Sequence, residues 1–185
     1  MTRPLLILDL DETLLHSREE PLERPADLRV GAYHTYARPH LSQFLARVRQ
    51  SFELAVWTAA TRDYASYLVG HLFPADLELA FFFSRERCTL RRDPETFEGH
   101  YLKDLKKVRR LGYDLKRAVM LDDNPRALAR HYGNLLRAPA YTGQAEDDGL
   151  LRALAALERL LEHDNFRTVD KGRLWSAPAS ATERG

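Results

Sequence analysis

A chain of 185 residues with a single cysteine, Cys88, cannot close a disulfide on itself or build a cysteine-rich zinc site. No apolar stretch is long enough for a membrane span or a signal-peptide core, because the first run, Leu5 to Leu8, stops at Asp9 and Asp11. Little charge is left over either: 28 lysines and arginines face 27 acids, so no general pull toward nucleic acid or anionic lipid is expected. There is no glycine-rich phosphate loop, which disfavours a nucleotide-driven kinase or ATPase, and the seven histidines show no metal-ligand spacing. A soluble, cytoplasmic and monomeric protein is expected; the composition, 44% hydrophobic and 30% charged, is ordinary, and the length fits one domain.

Short apolar runs alternate with helical patterns. Leu5–Leu8, Glu53–Trp57, Ala118–Leu121 and Leu135–Leu136 read as buried strands, Leu79–Phe83 as a short aromatic strand and Ala32–Ala37 as a hairpin or edge strand. Helical spacing follows Pro39 (Leu41, Phe44, Leu45, Val48), recurs at Tyr64, Leu68 and Leu72, spans 104–111 up to Gly112, and extends through Leu150–Leu161. A further helix is expected from about Arg126, and Thr58 is placed to cap the segment that begins near Arg62. This alternation predicts an α/β fold, a Rossmann-like doubly wound parallel sheet with ligands beyond the strands' carboxyl ends. Only short insertions, near 18–36 and 84–100, separate its parts, so no large cap is expected. The expected domain is 1–163, with 164–185 an extension that frays after about 176.

The chemistry gathers where strands end. Asp9 and Asp11 stand two positions apart as the first strand runs out, a spacing that directs both carboxylates to one face, where they can meet on one cation. Close carboxylates repel unless a cation or shared proton neutralises them, and hard oxygen ligands suit Mg²⁺. Asp122 and Asp123 leave another strand end. Thr58 offers a hydroxyl, and Lys103 a point charge, for phosphate oxygens.

Asp9-x-Asp11-x-Thr13 with Leu14-Leu15-His16-Ser17 resembles the first motif of the haloacid dehalogenase phosphatases. Arg38-Pro39-His40, Trp57-Thr58-Ala59, Tyr101-Leu102-Lys103-Asp104-Leu105 and Leu121-Asp122-Asp123 follow in the order seen in the branch of RNA polymerase II C-terminal-domain phosphatases. The resemblance covers roughly 5–163. Ala60 stands where that family often has serine, and Asp123 where many relatives have asparagine.

The resemblance implies that Asp9 is the nucleophile and Asp11 the general acid and base. It implies that Mg²⁺ is held by Asp9, the backbone carbonyl of Asp11 and Asp122 or Asp123, that Thr58, Ala59 and Lys103 bind the transferring group, and that Thr13 and Arg38 support the site. It also suggests Tyr33, Tyr36 and Phe97 as candidates for gripping residues beside a phosphoserine. Arg85, Arg87, Arg91 and Arg92 form a solvated face able to attract a phosphorylated partner, and His16 is expected to make a structural hydrogen bond. The expected activity is that of a protein serine/threonine phosphatase. A small-molecule or nucleic-acid-end phosphatase, or a phosphosite binder without catalysis, is the alternative.

Overall fold

The computed structural model describes residues 3–92 and 95–176. Its centre is a five-stranded parallel sheet. The strands are β1 (Leu5–Leu8), β5 (Glu53–Trp57), β6 (Phe82–Phe83), β9 (Ala118–Asp122) and β10 (Leu135–Arg137), in the order β10-β9-β1-β5-β6. Every residue of β1 and β9 is buried, as continuous apolar runs between two covered faces require. The chain builds outward from β1 on one side, then returns to its other side, so β1 and β9 flank the switch point at which such sheets open a cleft.

Two unequal layers cover the sheet. Helices α1 (Leu41–Ser51), α2 (Arg62–Leu72) and α4 (Gly149–Leu160) close one face with Phe44, Leu45, Val48, Leu68, Leu150 and Leu157. The other face carries only the short α3 (Lys106–Arg110) and 3₁₀ turns, which bury Leu105, Val108, Ala127 and Leu128 against Ile7 and Met120. Two insertions project from the domain. One is a three-stranded antiparallel sheet of β2 (Leu15–Arg18), β3 (Leu28–Val30) and β4 (Tyr33–Ala37), and the other is the hairpin β7 (Thr89–Arg92) and β8 (Gly99–Leu102).

Three sequence expectations change. The helix from Arg126 is a single 3₁₀ turn, Pro125–Leu128, because His131 and the turn Tyr132–Asn134 arrive before a second turn can form. The strand expected over 79–83 is reduced to Phe82–Phe83, the residues that pair with Val56 and Trp57 at the sheet's edge. The hairpin alternative for 32–37 holds: β4 pairs antiparallel with β3 across a two-residue turn, Val30 opposite Tyr33, and lies between β2 and β3 in its sheet. Thr61, not Thr58, precedes α2, and the Thr58 hydroxyl instead accepts from the Ala60 N–H at 3.0 Å. Past α4, Phe166 is buried in the core and α5 (Lys171–Ser176) packs back on α4. The expected fraying after 176 lies outside the described residues.

Candidate active site

Strand register builds the acidic centre. Leu8 pairs with Leu121 in parallel and Asp9 N–H donates to Leu121 O at 3.1 Å, so Asp9 and Asp122 leave adjacent strand ends side by side. One oxygen each from Asp9, Asp122 and Asp123 lies within 4.8 Å of the others. Lys103 closes the group: its Nζ is 2.6 Å from Asp9 Oδ1 and 2.7 Å from Asp122 Oδ2, and all three residues are buried. Its backbone N–H is pinned to Ala127 O at 2.8 Å, so the lysine is positioned by the turn that follows β9.

Burial drives the protonation behaviour. It pushes the Asp9 carboxyl well up, with Lys103 opposing and Asp122 reinforcing the shift. Asp11 and Asp123 are also raised, first by burial. Lys103 is disfavoured as a cation by burial, yet Asp9 and Asp122 outweigh that and hold it protonated. Glu12, next to Asp11 and Asp123, is pushed up to about 7 by burial and by those two charges. One lysine cannot balance five acids, so the site is electrostatically short of a cation. Three converging carboxylates are the oxygen donors a divalent ion such as Mg²⁺ takes, and the residues present therefore fit that metal.

The Asp11 carboxylate stands outside this group, contrary to the expectation that it shares a cation with the Asp9 side chain. Strand β1 ends at Leu8 and the chain turns around Leu10, whose carbonyl takes the Thr13, Leu14 and Leu15 N–H groups, so strand alternation no longer places Asp11 beside Asp9. Its Oδ1 lies 3.1 Å from the Tyr64 hydroxyl, which is itself 2.7 Å from Ser17 Oγ. Thr13 ties the two halves of the site. Its hydroxyl is 3.2 Å from Asp9 Oδ2 and 3.3 Å from Asp123 Oδ1, and it accepts from Asp123 N–H at 3.1 Å. Arg38, wholly buried, donates to Thr13 O at 3.0 Å and grips Asp147 through Nε and Nη2 at 2.6 and 3.0 Å.

A cavity of about 300 Å³ opens over Asp9, Lys103, Asp122 and Asp123 and is lined also by Thr58, Ala59 and His100. It shares Asp11, Glu12, Ala59 and Tyr101 with a neighbour of about 580 Å³ that reaches Ser17, Tyr33, Tyr64 and Arg85. Arg85 is anchored on Ala59 O at 2.7 Å with its guanidinium over the Tyr101 ring. A separate cavity of about 680 Å³ beside Arg24, His40 and His71 contains none of the site's carboxylates.

Of the aromatic candidates, Tyr33 lines the larger cavity, whereas Tyr36 is fully buried with its hydroxyl accepting from Leu22 N–H at 2.7 Å and cannot touch substrate. Phe97 is 76% exposed and lines neither cavity. His16 Nδ1 bonds Glu12 at 3.2 Å. Sequence reasoning missed Tyr64, read only as part of an apolar stripe, and Asp147. The available signal for Tyr64 was its place in the first turn of a helix that starts at the cleft edge. Asp147 carried none, since only the fold brings it to Arg38.

A parallel sheet switching at β1, with an aspartate-lysine-aspartate group at its carboxyl edge, is the arrangement expected of a phosphatase of the haloacid dehalogenase type. Residues 4–167 match the family described as NLI interacting factor-like phosphatase, and the chain belongs to that family. It is 32% identical over 193 residues to CTD nuclear envelope phosphatase 1 of Xenopus laevis, spanning 94% of this chain and 75% of that protein. It is 31% identical over 171 residues to the human carboxy-terminal domain RNA polymerase II polypeptide A small phosphatase 1, spanning 89% of this chain and 62% of that one. A third relative, CTD small phosphatase-like protein 2 of Dictyostelium discoideum, is 31% identical over 185 residues, but the chain spans 31% of its length. The solved structure of Fcp1, an essential RNA polymerase II CTD phosphatase, shares the fold with a TM-score of 0.56 at 21% identity, covering 89% of this chain and 51% of that one.

Proposed function

We propose that the chain is a Mg²⁺-dependent phosphoprotein phosphatase that works through a phospho-aspartate at Asp9. The observation that carries this reading is the contact of one buried lysine with both Asp9 and Asp122, with Asp123 completing the acidic group and Asp11 held apart on Tyr64.

An Asp9 oxygen attacks phosphorus in line; the P–O bond to the substrate breaks and Asp11 gives its proton to the departing oxygen. Asp11, now a carboxylate, takes a proton from water as that water attacks the phosphoryl-aspartate, releasing phosphate and restoring Asp9. Burial holds the Asp11 carboxyl proton-bearing to higher pH than an exposed aspartate, which suits the first step. Lys103 and the Thr58–Ala60 turn bind the phosphoryl oxygens in a cleft whose electrostatic stabilisation is strengthened by dehydration. Asp9, the Asp11 backbone carbonyl and Asp122 or Asp123 would hold Mg²⁺, which supplies charge neutralisation for the phosphoryl group when bound.

A protein substrate is supported by the open double cavity, which is crossed by short insertions, and by the relatives' names. A panel of phosphoserine and phosphothreonine peptides set against sugar and nucleotide phosphates tests this. Peptide turnover that EDTA stops is expected; hydrolysis confined to small metabolites would overturn the protein substrate.

A further inference from the structure

The overall charge of +1 hides a segregation. Between Lys103 and Arg137 the chain carries ten lysines and arginines against four aspartates, so the remainder is net acidic. Of the four, Asp122 and Asp123 belong to the catalytic group, Asp104 takes His131 Nε2 at 2.9 Å, and Asp114 caps the turn at Lys116. The parts of this segment outside β9 and β10 form the thin layer over the second face of the sheet. In α3, Lys-Lys-Val-Arg-Arg, only Val108 is buried. The layer is continuous: Lys103 N–H bonds Ala127 O, and Asp104 at the head of α3 also faces Arg130 at 3.8 Å. Among the described residues, Lys106, Arg109, Arg110, Lys116 and Arg126 have no carboxylate within ion-pair distance, although all are exposed. The upper end of the layer runs into the cleft, because Asn124, two residues before Arg126, lines the catalytic cavity.

We propose that Lys106, Arg109, Arg110, Lys116, Arg126 and Arg130 form a docking surface for an acidic segment of the protein substrate, lying outside the phosphoserine itself. Cations on one face, five of the six without a carboxylate partner among the described residues and only Arg130 facing Asp104, attract an anionic chain and orient it before the phosphate is engaged. A nucleic acid is the less favoured ligand. Single-stranded binders interleave cations with stacking aromatics, whereas the aromatic between Lys103 and Arg130 is Tyr113, packed on Phe81 with its hydroxyl on Glu53. Exposed Tyr132 makes an oligonucleotide the competitor to test.

The inference rests on the protein-phosphatase reading, and the test separates the two. Phosphoserine peptides that differ only in a distal run of glutamates or glutamines are compared on the intact chain and on a variant with all six positions changed to glutamine. At low salt the intact chain is expected to favour the acidic peptide by about tenfold in kcat/KM, mainly through KM. The variant loses that preference and retains p-nitrophenyl phosphate turnover. The glutamate peptide without phosphate, followed by fluorescence anisotropy, reads docking even if no phosphatase activity exists. Equal treatment of both peptides by the intact chain, or a preference that survives in the variant, overturns the proposal. So does loss of single-stranded oligonucleotide binding in the variant without any peptide effect.

Discussion

At the level of single residues, Lys103 decides the electrostatics. Among the described residues its ammonium is the one side-chain cation touching Asp9 and Asp122, and removing one partner of a buried ionic group costs about 3–5 kcal/mol because the others are left uncompensated. Lys103→Met is therefore expected to melt well below the parent without metal and to lose turnover; adding Mg²⁺ should recover more stability in the variant than in the parent. Equal metal-free melting temperatures would contradict this. The next residue supplies a pH signature. Burial pushes the Asp104 carboxyl up, but hydrogen bonds from His131 and the Lys106 N–H outweigh that and hold it below its ordinary value. Its stabilisation is thus present above the unfolded carboxyl's pKa and lost as pH falls through the lower folded one. Asp104→Asn should destabilise by about 1 kcal/mol at neutral pH, the deficit fading as pH falls through the lowered folded pKa, as denaturant melts across pH would read. The convergence of Asp9, Lys103 and Asp122 was legible from the sequence because each sits in a short local motif. The separation of the Asp11 carboxylate from that group was not, since strand geometry ends before Asp11 and its partner Tyr64 lies far away in sequence.

Among the elements, the loop after β1 is held from outside by Arg38. Its guanidinium is wedged between Thr13 O, Asp147 and the first residue of α4, Gly149, where an added Cβ would overlap Arg38 Nη2. Because Arg38 is buried and doubly bonded to Asp147, it cannot swing aside. Gly149→Ala is expected to cost about 1–3 kcal/mol by overpacking and to slow turnover through the displaced Thr13 loop. Gly70→Ala in α2, with open space around it, should instead stabilise by about 0.5–1 kcal/mol. Thermal melts of both variants check the pair, and a neutral Gly149→Ala would remove Arg38 from its positioning role. Helices α1, α2 and α4 were readable because each repeats apolar residues at three- and four-residue spacing. The segment after Pro125 has Ala127 and Leu128 as its buried residues, too short a stripe to distinguish a 3₁₀ turn from a helix.

Taken whole, the molecule places every group of the site at the carboxyl ends of β1, β5 and β9 or on a connection leaving that edge. That arrangement follows from parallel strand order, which alternating apolar runs and helical patterns made legible. The tertiary partners, Tyr64 on Asp11 and Asp147 on Arg38, lie 53 and 109 residues away in sequence and become visible only once the sheet is assembled. The most direct test of the account is chemical trapping. The protein is mixed with Mg²⁺ and a phosphoserine peptide, quenched in acid within one turnover, and reduced with borohydride, which converts an aspartyl phosphate to homoserine. Peptide mass spectrometry should find homoserine at position 9 and nowhere else, and Asp9→Asn should yield none. Modification of another carboxylate, or active enzyme that never carries phosphate at Asp9, would contradict the mechanism.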